Sequence, residues 1–527
     1  VGDYTEYGIS NDDPDVVKGR AGSPYSVKDY YNVNPDMAVD PAKRLEEFKA
    51  LVDRTHQHGM KVILDIIPNH VARDYHSISQ PAGHQDFGAD DDNSVEYKRD
   101  NNFYYVVGEP FKVPVSKDGY LPLGGEKHPL ADGKFAESPA KWTGNGSRQA
   151  QPDINDWYEA VKLNFGVRPD GSHDFDPLPQ GYRDKSFQDH YAFWQDKDVP
   201  DSWKKFRDIV LYWTDFGIDG FRYDMAEMVP VEFWSYLNSA IKTRNPDATI
   251  IAEVYNPALY RDYIELGKMD YLYDKVDLYD TLKLIMQGKE KTSSLLPIVD
   301  KYTDIDQHML HFLENHDEQR IASPGFAGDA NKGKPAMVVS TLIGKAPTML
   351  FYAQALGEAG EGDAGFGGPT RTTMFDYWGV PSLQRWMNEG LFDGGQLTDD
   401  ERVLREFYVK LLSFSAESPA LNCGYADLHT LNLESTEIYD ENLFSFARWN
   451  EDEKLIVISN FSDTTSYQLD LQIPNYLIEI WNLPDGEFGL SEVLSGESNQ
   501  LEINQAGGSI QTMLKPLQSK IFQLKKL

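Results

Sequence analysis

Cysteine and long apolar runs are nearly absent from this chain of 527 residues. Cys423 is the single cysteine, which excludes an intrachain disulfide and leaves the compartment open, with a secreted or periplasmic location slightly favoured. No apolar run is long enough to span a membrane, and no signal peptide is recognisable. The chain begins with Val1 rather than methionine, as a processed or truncated product would.

Positive charge is also scarce, because 50 Lys and Arg stand against 84 Asp and Glu. The net charge of −34 repels nucleic acid and anionic membranes, so we expect neither as a partner. We interpret the acidity as a solubilising surface. No glycine-rich phosphate loop follows a strand, which argues against an open nucleotide-binding sheet and against an organic cofactor. The oligomeric state stays unknown.

Apolar runs that alternate with helical patterns organise most of the chain. Strands alternating in this way predict a parallel sheet, and polar residues where they end favour a (β/α)₈ barrel with its site at the carboxyl ends. An open doubly wound sheet is the alternative. The predicted strands are Pro24–Tyr31, Lys61–Ile67, Ile218–Asp224, Ala248–Val254, Met269–Tyr273, Met309–Leu313 and Pro347–Phe351.

The periodicity also divides the chain. It starts in a barrel segment (1–70), fails over a loop-rich stretch read as an inserted domain B (71–185), and resumes in the rest of the barrel (186–420). Short strands of period two, among them Leu477–Trp481, then predict an antiparallel β-sandwich, domain C (421–527). A glycine-rich loop near residues 356–369 is expected close to the site.

Arg222 and Asp224 point to the same side of one predicted strand, because side chains alternate along strands. An isolated pair of this kind is more often a structural ion pair. Beside the arginine we expect Asp224 to stay ionised, as a nucleophile must. Glu253 lies in an apolar run, where burial raises a glutamate's pKa and keeps it protonated for general-acid work.

Further polar groups follow other predicted strands, namely Asp65 with His70 and His316 with Asp317. If the strands form one barrel, these groups converge in one pocket. Two carboxylates that flank a glycosidic bond are what retaining hydrolysis requires. Aromatic residues, 13% of the chain, could stack on sugars, although most aromatics are core.

With these features the chain resembles the α-amylase family, glycoside hydrolase family 13, over residues 22 to 378. Five stretches match its ordered signature regions: DIIPNH at Asp65–His70, QPDIN at Gln151–Asn155, GFRYD at Gly220–Asp224, AEVYN at Ala252–Asn256 and ENHDEQ at Glu314–Gln319. Each is weak alone, and the order and spacing of all five make the resemblance specific. The family's barrel has a further strand nearer the start, for which Tyr7–Ser10 is a poor candidate. Either Tyr7–Ser10 forms this strand poorly or the chain lacks it.

The resemblance implies three catalytic carboxylates: Asp224 as nucleophile, Glu253 as acid/base and Asp317 as the group that grips sugar hydroxyls. It also implies that Arg222 orients Asp224, that Asp65 supports the site, and that two histidines bind the sugar. A tyrosine in PYSVKDY would stack under that sugar, with a core aromatic as the equal alternative. The substrate-binding residues are thus Tyr25, Asp65, His70, Arg222 and His316.

Two departures concern metal and leaving group. Asn69 and Asp153 match positions that bind calcium in many amylases, but calcium wants six to eight oxygen donors. Calcium is therefore only implied by the resemblance. Glu227 and Met228 stand where the family often has a Lys-His pair that serves the leaving-group side.

Linkage preference is indicated by two opposed features. Ser26 replaces an aspartate that blocks the cleft in many exo-acting α-glucosidases, whereas QPDIN resembles oligo-1,6-glucosidases. We weight the first more, and predict a retaining hydrolase of α-1,4 bonds in starch or malto-oligosaccharides. An α-glucanotransferase, an oligo-1,6-glucosidase and an inactive carbohydrate-binding relative are the alternatives.

Overall fold

The computed structural model describes residues 3–19, 21–116, 128–360, 372 and 379–525. They divide into two compact units, the first ending at Leu272 and the second beginning at Tyr273. Within the described residues, none of the helices combines the length and hydropathy of a membrane span.

The strands of the first unit include a parallel set that carries the predicted site. Strands β1, β6, β7 and β8 are neighbours in this order, and Asp65 on β1 lies opposite Arg222 on β6. The strands, in chain order, are β1 (Ile63–Ile66), β2 (His70–Ala72), β3 (Tyr105–Val106), β4 (Ala140–Lys141), β5 (Ala160–Lys162), β6 (Gly220–Tyr223), β7 (Thr249–Ala252) and β8 (Tyr271–Tyr273), the last of which crosses the unit boundary.

Helices of the first unit follow the predicted alternation. They are α1 (Arg44–Gln57), α2 (Phe187–Gln195), α3 (Asp201–Phe216), α4 (Val231–Arg244) and α5 (Tyr260–Glu265). Helix α3 buries Trp203, Phe206 and Trp213 on one face, the spacing of an amphipathic helix. It ends at Gly217, whose φ of 113° favours glycine and turns the chain into β6.

In the part that the structure describes, the loop-rich stretch from β2 to α2 forms short antiparallel pairs, β2 with β5 and β3 with β4. Side-chain contacts replace regular structure there. Buried Arg73 pairs with Glu137 at 2.6 Å, and the rings of Tyr104 and Trp142 stack with centroids 4.5 Å apart. The failure of periodicity over this stretch is therefore genuine.

The expectation of a strand at Pro24–Tyr31 is wrong, because the structure has turns there. The buried hydroxyl of Tyr30 donates to the carbonyl of Ile67 at 2.6 Å, a tertiary contact that fixes the segment without a ladder. Tyr7–Ser10 is not a strand either, since a 3₁₀ turn occupies Thr5–Tyr7. The described residues before β1 form no strand.

The second unit continues the pattern with β9 (Met309–Leu310), where the backbone N–H of Asp274 donates to Leu310 O at 3.0 Å. The strand expected at Pro347–Phe351 is reduced to one bridge, between His311 and Thr348. Most of the glycine-rich loop, residues 361–369, lies outside the described residues. The helices are α6 (Asp280–Met286), α7 (Leu296–Lys301), α8 (Gly333–Leu342), α9 (Pro381–Met387), α10 (Asp399–Glu417), α11 (His429–Ser435) and α12 (Asn475–Trp481).

Eight antiparallel strands form the C-terminal sheet, as predicted, in the order β10-β11-β12-β17-β14-β15-β16-β13. One apolar cluster takes side chains from all eight, so the sheet folds over its own core. Leu477–Trp481 is not a strand but part of helix α12, which follows Pro474 and buries one face. The strands are β10 (Gly424–Asp427), β11 (Leu443–Trp449), β12 (Glu453–Asn460), β13 (Tyr467–Pro474), β14 (Gly486–Glu492), β15 (Ser498–Asn504), β16 (Gly507–Leu514) and β17 (Ser519–Lys525).

Candidate active site

Arg222 lies at the centre of an acidic cluster at the carboxyl ends of β1, β6 and β7. Its Nη1 lies 3.0 Å from both carboxylate oxygens of Asp65 and 3.0 Å from Oδ1 of Asp224. Its Nη2 donates to Oε2 of Glu253 at 2.8 Å. Neighbouring parallel strands thus bring three of the predicted carboxylates to one guanidinium, as the strand-end rule requires.

Burial and charge imbalance set the protonation of this cluster. Asp224 is 6% exposed and Glu253 is 3% exposed. Burial raises the pKa of Asp224 to about 8, and the nearby carboxylates of Glu253 and Asp65 add to the rise, although Arg222 opposes it. Contrary to the expectation, Arg222 alone does not hold the pKa of Asp224 low, because one arginine is shared among three carboxylates.

Glu253 has polar rather than apolar surroundings at its carboxylate, which corrects a second expectation. Besides the guanidinium, Oε2 accepts the backbone N–H of Met225 at 3.0 Å. Met225 has a φ of 48°, which is uncommon for a residue other than glycine. The carboxyl of Glu253 lies close enough to that of Asp224 to raise its pKa.

Tyr25 and His70 join the same cluster. The hydroxyl of Tyr25 donates to Oδ2 of Asp65 at 2.8 Å, and its ring centre lies 6.0 Å from the guanidinium of Arg222. The buried ring of His70 hydrogen-bonds the backbone of Tyr25 and lies 5.4 Å from the ring of Trp157. Burial and the charge of Lys162 lower the pKa of His70 to about 3, so it is neutral at physiological pH.

The remaining predicted residues, His316 and Asp317, follow β9 in the second unit. His316 Nε2 lies 3.2 Å from Oδ2 of Asp317, and the backbone N–H of Asp317 donates to Asn315 Oδ1 at 2.9 Å. The turn after the strand thus holds the two side chains together. Their role at the sugar stays a prediction.

The two residues matched to calcium positions do not fit that ion as they are placed. The side-chain oxygen of buried Asn69 accepts from the ammonium of Lys162. Oδ1 of Asp153 accepts from the backbone and side chain of Asn155, at 3.0 and 2.9 Å. Across the described ranges, no group of three or more His, Cys, Asp and Glu side chains could hold a metal. No step below uses one.

Three residues around the site were missed by the sequence reasoning: Met225, Trp157 and Lys162. Met225 has the left-handed backbone conformation, which its residue type does not signal. Trp157 lies just beyond the QPDIN stretch, which was the only hint. Lys162 lies opposite His70 in the β2–β5 pair, a partnership set only by folding.

Two family models match the chain. The model for the α-amylase catalytic domain matches residues 14–162 and 185–364, and the model for the α-amylase C-terminal all-β domain matches residues 436–525. The chain belongs to the α-amylase family. It is a glycoside hydrolase of that family, as predicted.

Relatives of this α-amylase family chain have low sequence identity to it but align over most of its length. Alpha-amylase 3 of Dictyoglomus thermophilum is 21% identical over 83% of the chain and 74% of the relative. Neopullulanase 2 of Thermoactinomyces vulgaris is 23% identical over 94% of the chain and 65% of the relative, so the chain spans about two thirds of that protein. Other members are named as transferases. The family assignment therefore covers both hydrolases and transferases.

Among solved structures, an α-amylase from Geobacillus thermoleovorans complexed with acarbose is similar in fold. The TM-score is 0.57 at 17% identity, over 97% of this chain and 87% of that one. At this identity the likeness concerns the fold alone. The predicted class, a (β/α)₈ barrel with a C-terminal all-β domain of the α-amylase family, is confirmed.

Proposed function

We propose that the protein is a retaining hydrolase of α-1,4-glucosidic bonds in starch or malto-oligosaccharides. The observation that carries the proposal is that the carboxyls of Asp224 and Glu253 bind the same guanidinium, that of Arg222, at 3.0 and 2.8 Å. Retaining glycosidases need two carboxyl groups close together, one as nucleophile and one as acid/base. An acid cluster this poor in counter-charge would be a costly way to stabilise a fold.

The first step is the attack of Asp224 on the anomeric carbon. A carboxylate oxygen of Asp224 forms a bond to that carbon while the glycosidic C–O bond breaks, and Glu253 gives a proton to the departing oxygen. In the second step Glu253 takes a proton from water, whose oxygen displaces Asp224 and releases the sugar with net retention. Arg222 keeps its charge throughout and stabilises the carboxylate that leaves.

A proton must move from Asp224 to Glu253 before the first step. The pKa of about 8 leaves the proton on Asp224 at neutral pH, whereas the first step needs it on Glu253. The two carboxyls bind the same guanidinium, so the proton has only a short way to move. We propose that a sugar oxygen near Glu253 moves the proton across as substrate binds.

The other predicted residues take supporting roles in this proposal. Tyr25 stacks under the sugar at the site of cleavage, with its hydroxyl anchored on Asp65. Neutral His70 binds a sugar hydroxyl. Asp317 and His316 bind sugar hydroxyls.

The experiment is a product analysis after incubation with amylose, pullulan, isomaltose, trehalose and sucrose in separate reactions. We expect short malto-oligosaccharides from amylose, with the α-anomer released first. Cleavage of isomaltose alone would replace the α-1,4 assignment with an α-1,6 one. Products longer than the substrate would indicate transfer, and no turnover of any substrate would indicate an inactive relative.

A further inference from the structure

The carboxylate of Glu227 accepts hydrogen bonds from two backbone N–H groups. It lies in the short 3₁₀ turn Ala226–Met228, just after Asp224. Its Oε2 accepts the N–H groups of Tyr255 at 3.0 Å and of Asn256 at 2.8 Å. These two residues follow Glu253 in the chain. A carboxylate that accepts backbone N–H groups makes stronger hydrogen bonds than a neutral acceptor does.

Other hydrogen bonds also join the loops after β6 and β7, and these involve Glu253. The N–H of Glu253 donates to Tyr223 O at 3.0 Å, and its carbonyl accepts from Ala226 at 3.0 Å. Its carboxylate accepts from Met225 at 3.0 Å. These bonds fix the backbone and the carboxylate of Glu253. Glu227 fixes the backbone of the residues that follow it, Tyr255 and Asn256.

We propose that Glu227 is a positioning residue for the acid/base Glu253. By fixing the backbone of Tyr255 and Asn256, it sets where the Glu253 carboxyl meets the leaving-group oxygen. Proton transfer depends on this position, because an error of about 1 Å can cost about 100-fold in rate. This inference rests on the proposed function, in which Glu253 is the proton donor.

Three variants test the proposal. Glu227→Ala removes the acceptor, and Glu227→Gln keeps an oxygen that can accept both N–H groups. Glu47→Ala is the matched control, because Glu47 also clamps two backbone N–H groups, of Val39 and Asp40, at 2.8 Å each. Glu47 lies on α1, outside the acidic cluster. Thermal unfolding of all three checks that the fold is intact.

Two substrates separate positioning from a general structural role. Maltotetraose has a sugar leaving group that needs a proton, whereas α-maltosyl fluoride has a leaving group that departs with little acid assistance. For Glu227→Ala we expect kcat on maltotetraose to fall about 10- to 100-fold with KM nearly unchanged. On the fluoride we expect the rate of fluoride release in the first turnover, which reports the first step alone, to fall less than about 3-fold. Glu227→Gln should recover most of the activity, and Glu47→Ala should match the wild type.

Equal losses on both substrates would overturn the proposal, as would a rise in KM alone or a Gln variant as poor as the Ala variant. Failure of the underlying function is distinguishable. In that case Glu253→Gln would slow maltotetraose cleavage and first-turnover fluoride release by the same factor, or would slow neither. If Glu253→Gln slows maltotetraose cleavage far more than first-turnover fluoride release while Glu227→Ala is unaffected, only the role of Glu227 is contradicted.

Discussion

Two buried arginines, Arg222 in the first unit and Arg320 in the second, differ in how many carboxylates they neutralise. Arg222 faces three carboxylates and is outnumbered. Arg320 pairs with the single carboxylate of Glu314 at 2.8 Å, and its other N–H groups reach the carbonyl of Tyr352 and the hydroxyl of Thr372. Balanced charge holds a loop in place, whereas the imbalance around Arg222 leaves a proton that chemistry can use.

The largest effects are expected from the two carboxyls at Arg222. Asp224→Asn and Glu253→Gln should each lower kcat on amylose by about 1,000-fold or more, because each removes a group that acts on reacting atoms. Circular dichroism should show both variants folded. Near-normal turnover by either one would contradict its catalytic role. Glu314→Gln, which removes the charge that pairs with Arg320, should leave the folded fraction of the protein active.

The arginines themselves sharpen the comparison. Arg222→Gln should abolish activity, and it should cost about 3–5 kcal/mol of unfolding free energy, because it leaves buried carboxylates without their cation. Arg320→Gln should cost a similar amount, yet its folded fraction should keep wild-type kcat. Denaturant unfolding combined with active-site titration measures both quantities. If Arg320→Gln inactivates the folded protein, or Arg222→Gln does not, the distinction between the two sites fails.

A smaller, pH-dependent effect follows from the raised pKa of Asp224. A carboxyl whose folded pKa is raised to about 8 contributes stability that is fully present below its ordinary pKa and is lost as the pH rises to that value. Relative to the wild type, Asp224→Asn should therefore gain stability between about pH 5 and about pH 8. Thermal unfolding at both values measures this, and a constant difference would contradict it.

The same proton should limit activity at high pH. The free enzyme works only while the pair of carboxyls retains one proton, so kcat/KM should fall as the pH rises above about 8. A kcat/KM profile on maltotetraose tests this, with protein stability checked at each pH. A profile that stays flat well above that pH would contradict the assignment of the proton to Asp224.

Chelation should have the smallest effect. Because Asn69 offers its oxygen to Lys162, EDTA should leave the melting temperature unchanged and added calcium should not raise it. Lys162→Met should instead lower the melting temperature, with or without calcium. A clear shift of the wild-type melting temperature on chelation would contradict the placement of Asn69.

Much of the fold was predictable where one local signal dominated. The apolar run of β1 and the helical spacing of α3, stopped by Gly217, left little choice of structure. Leu477–Trp481 failed because a short apolar run fits a strand or a helix equally well. Pro24–Tyr31 failed because the contact of Tyr30 with Ile67, 37 residues away, decides it.

The carboxylates that contact Arg222 were predictable, but their protonation was not. Alternation along β6 paired Arg222 with Asp224, and the strand-end rule added Asp65 and Glu253. The pKa of Asp224 depends instead on how many carboxylates share one guanidinium. Asp65 lies 157 residues from Arg222 in the chain and Glu253 lies 31, so only the folded strands reveal that count.

The central claim is that Asp224 bonds to the sugar while Glu253 supplies and removes protons. Peptide mass spectrometry of the Glu253→Gln variant, after incubation with α-maltosyl fluoride, tests it most directly. Fluoride needs little acid help to leave, but hydrolysis of the covalent intermediate needs Glu253, so a maltosyl adduct should accumulate on the peptide that contains Asp224. Fluoride release with the adduct on another residue, or with no adduct at all, would contradict the account.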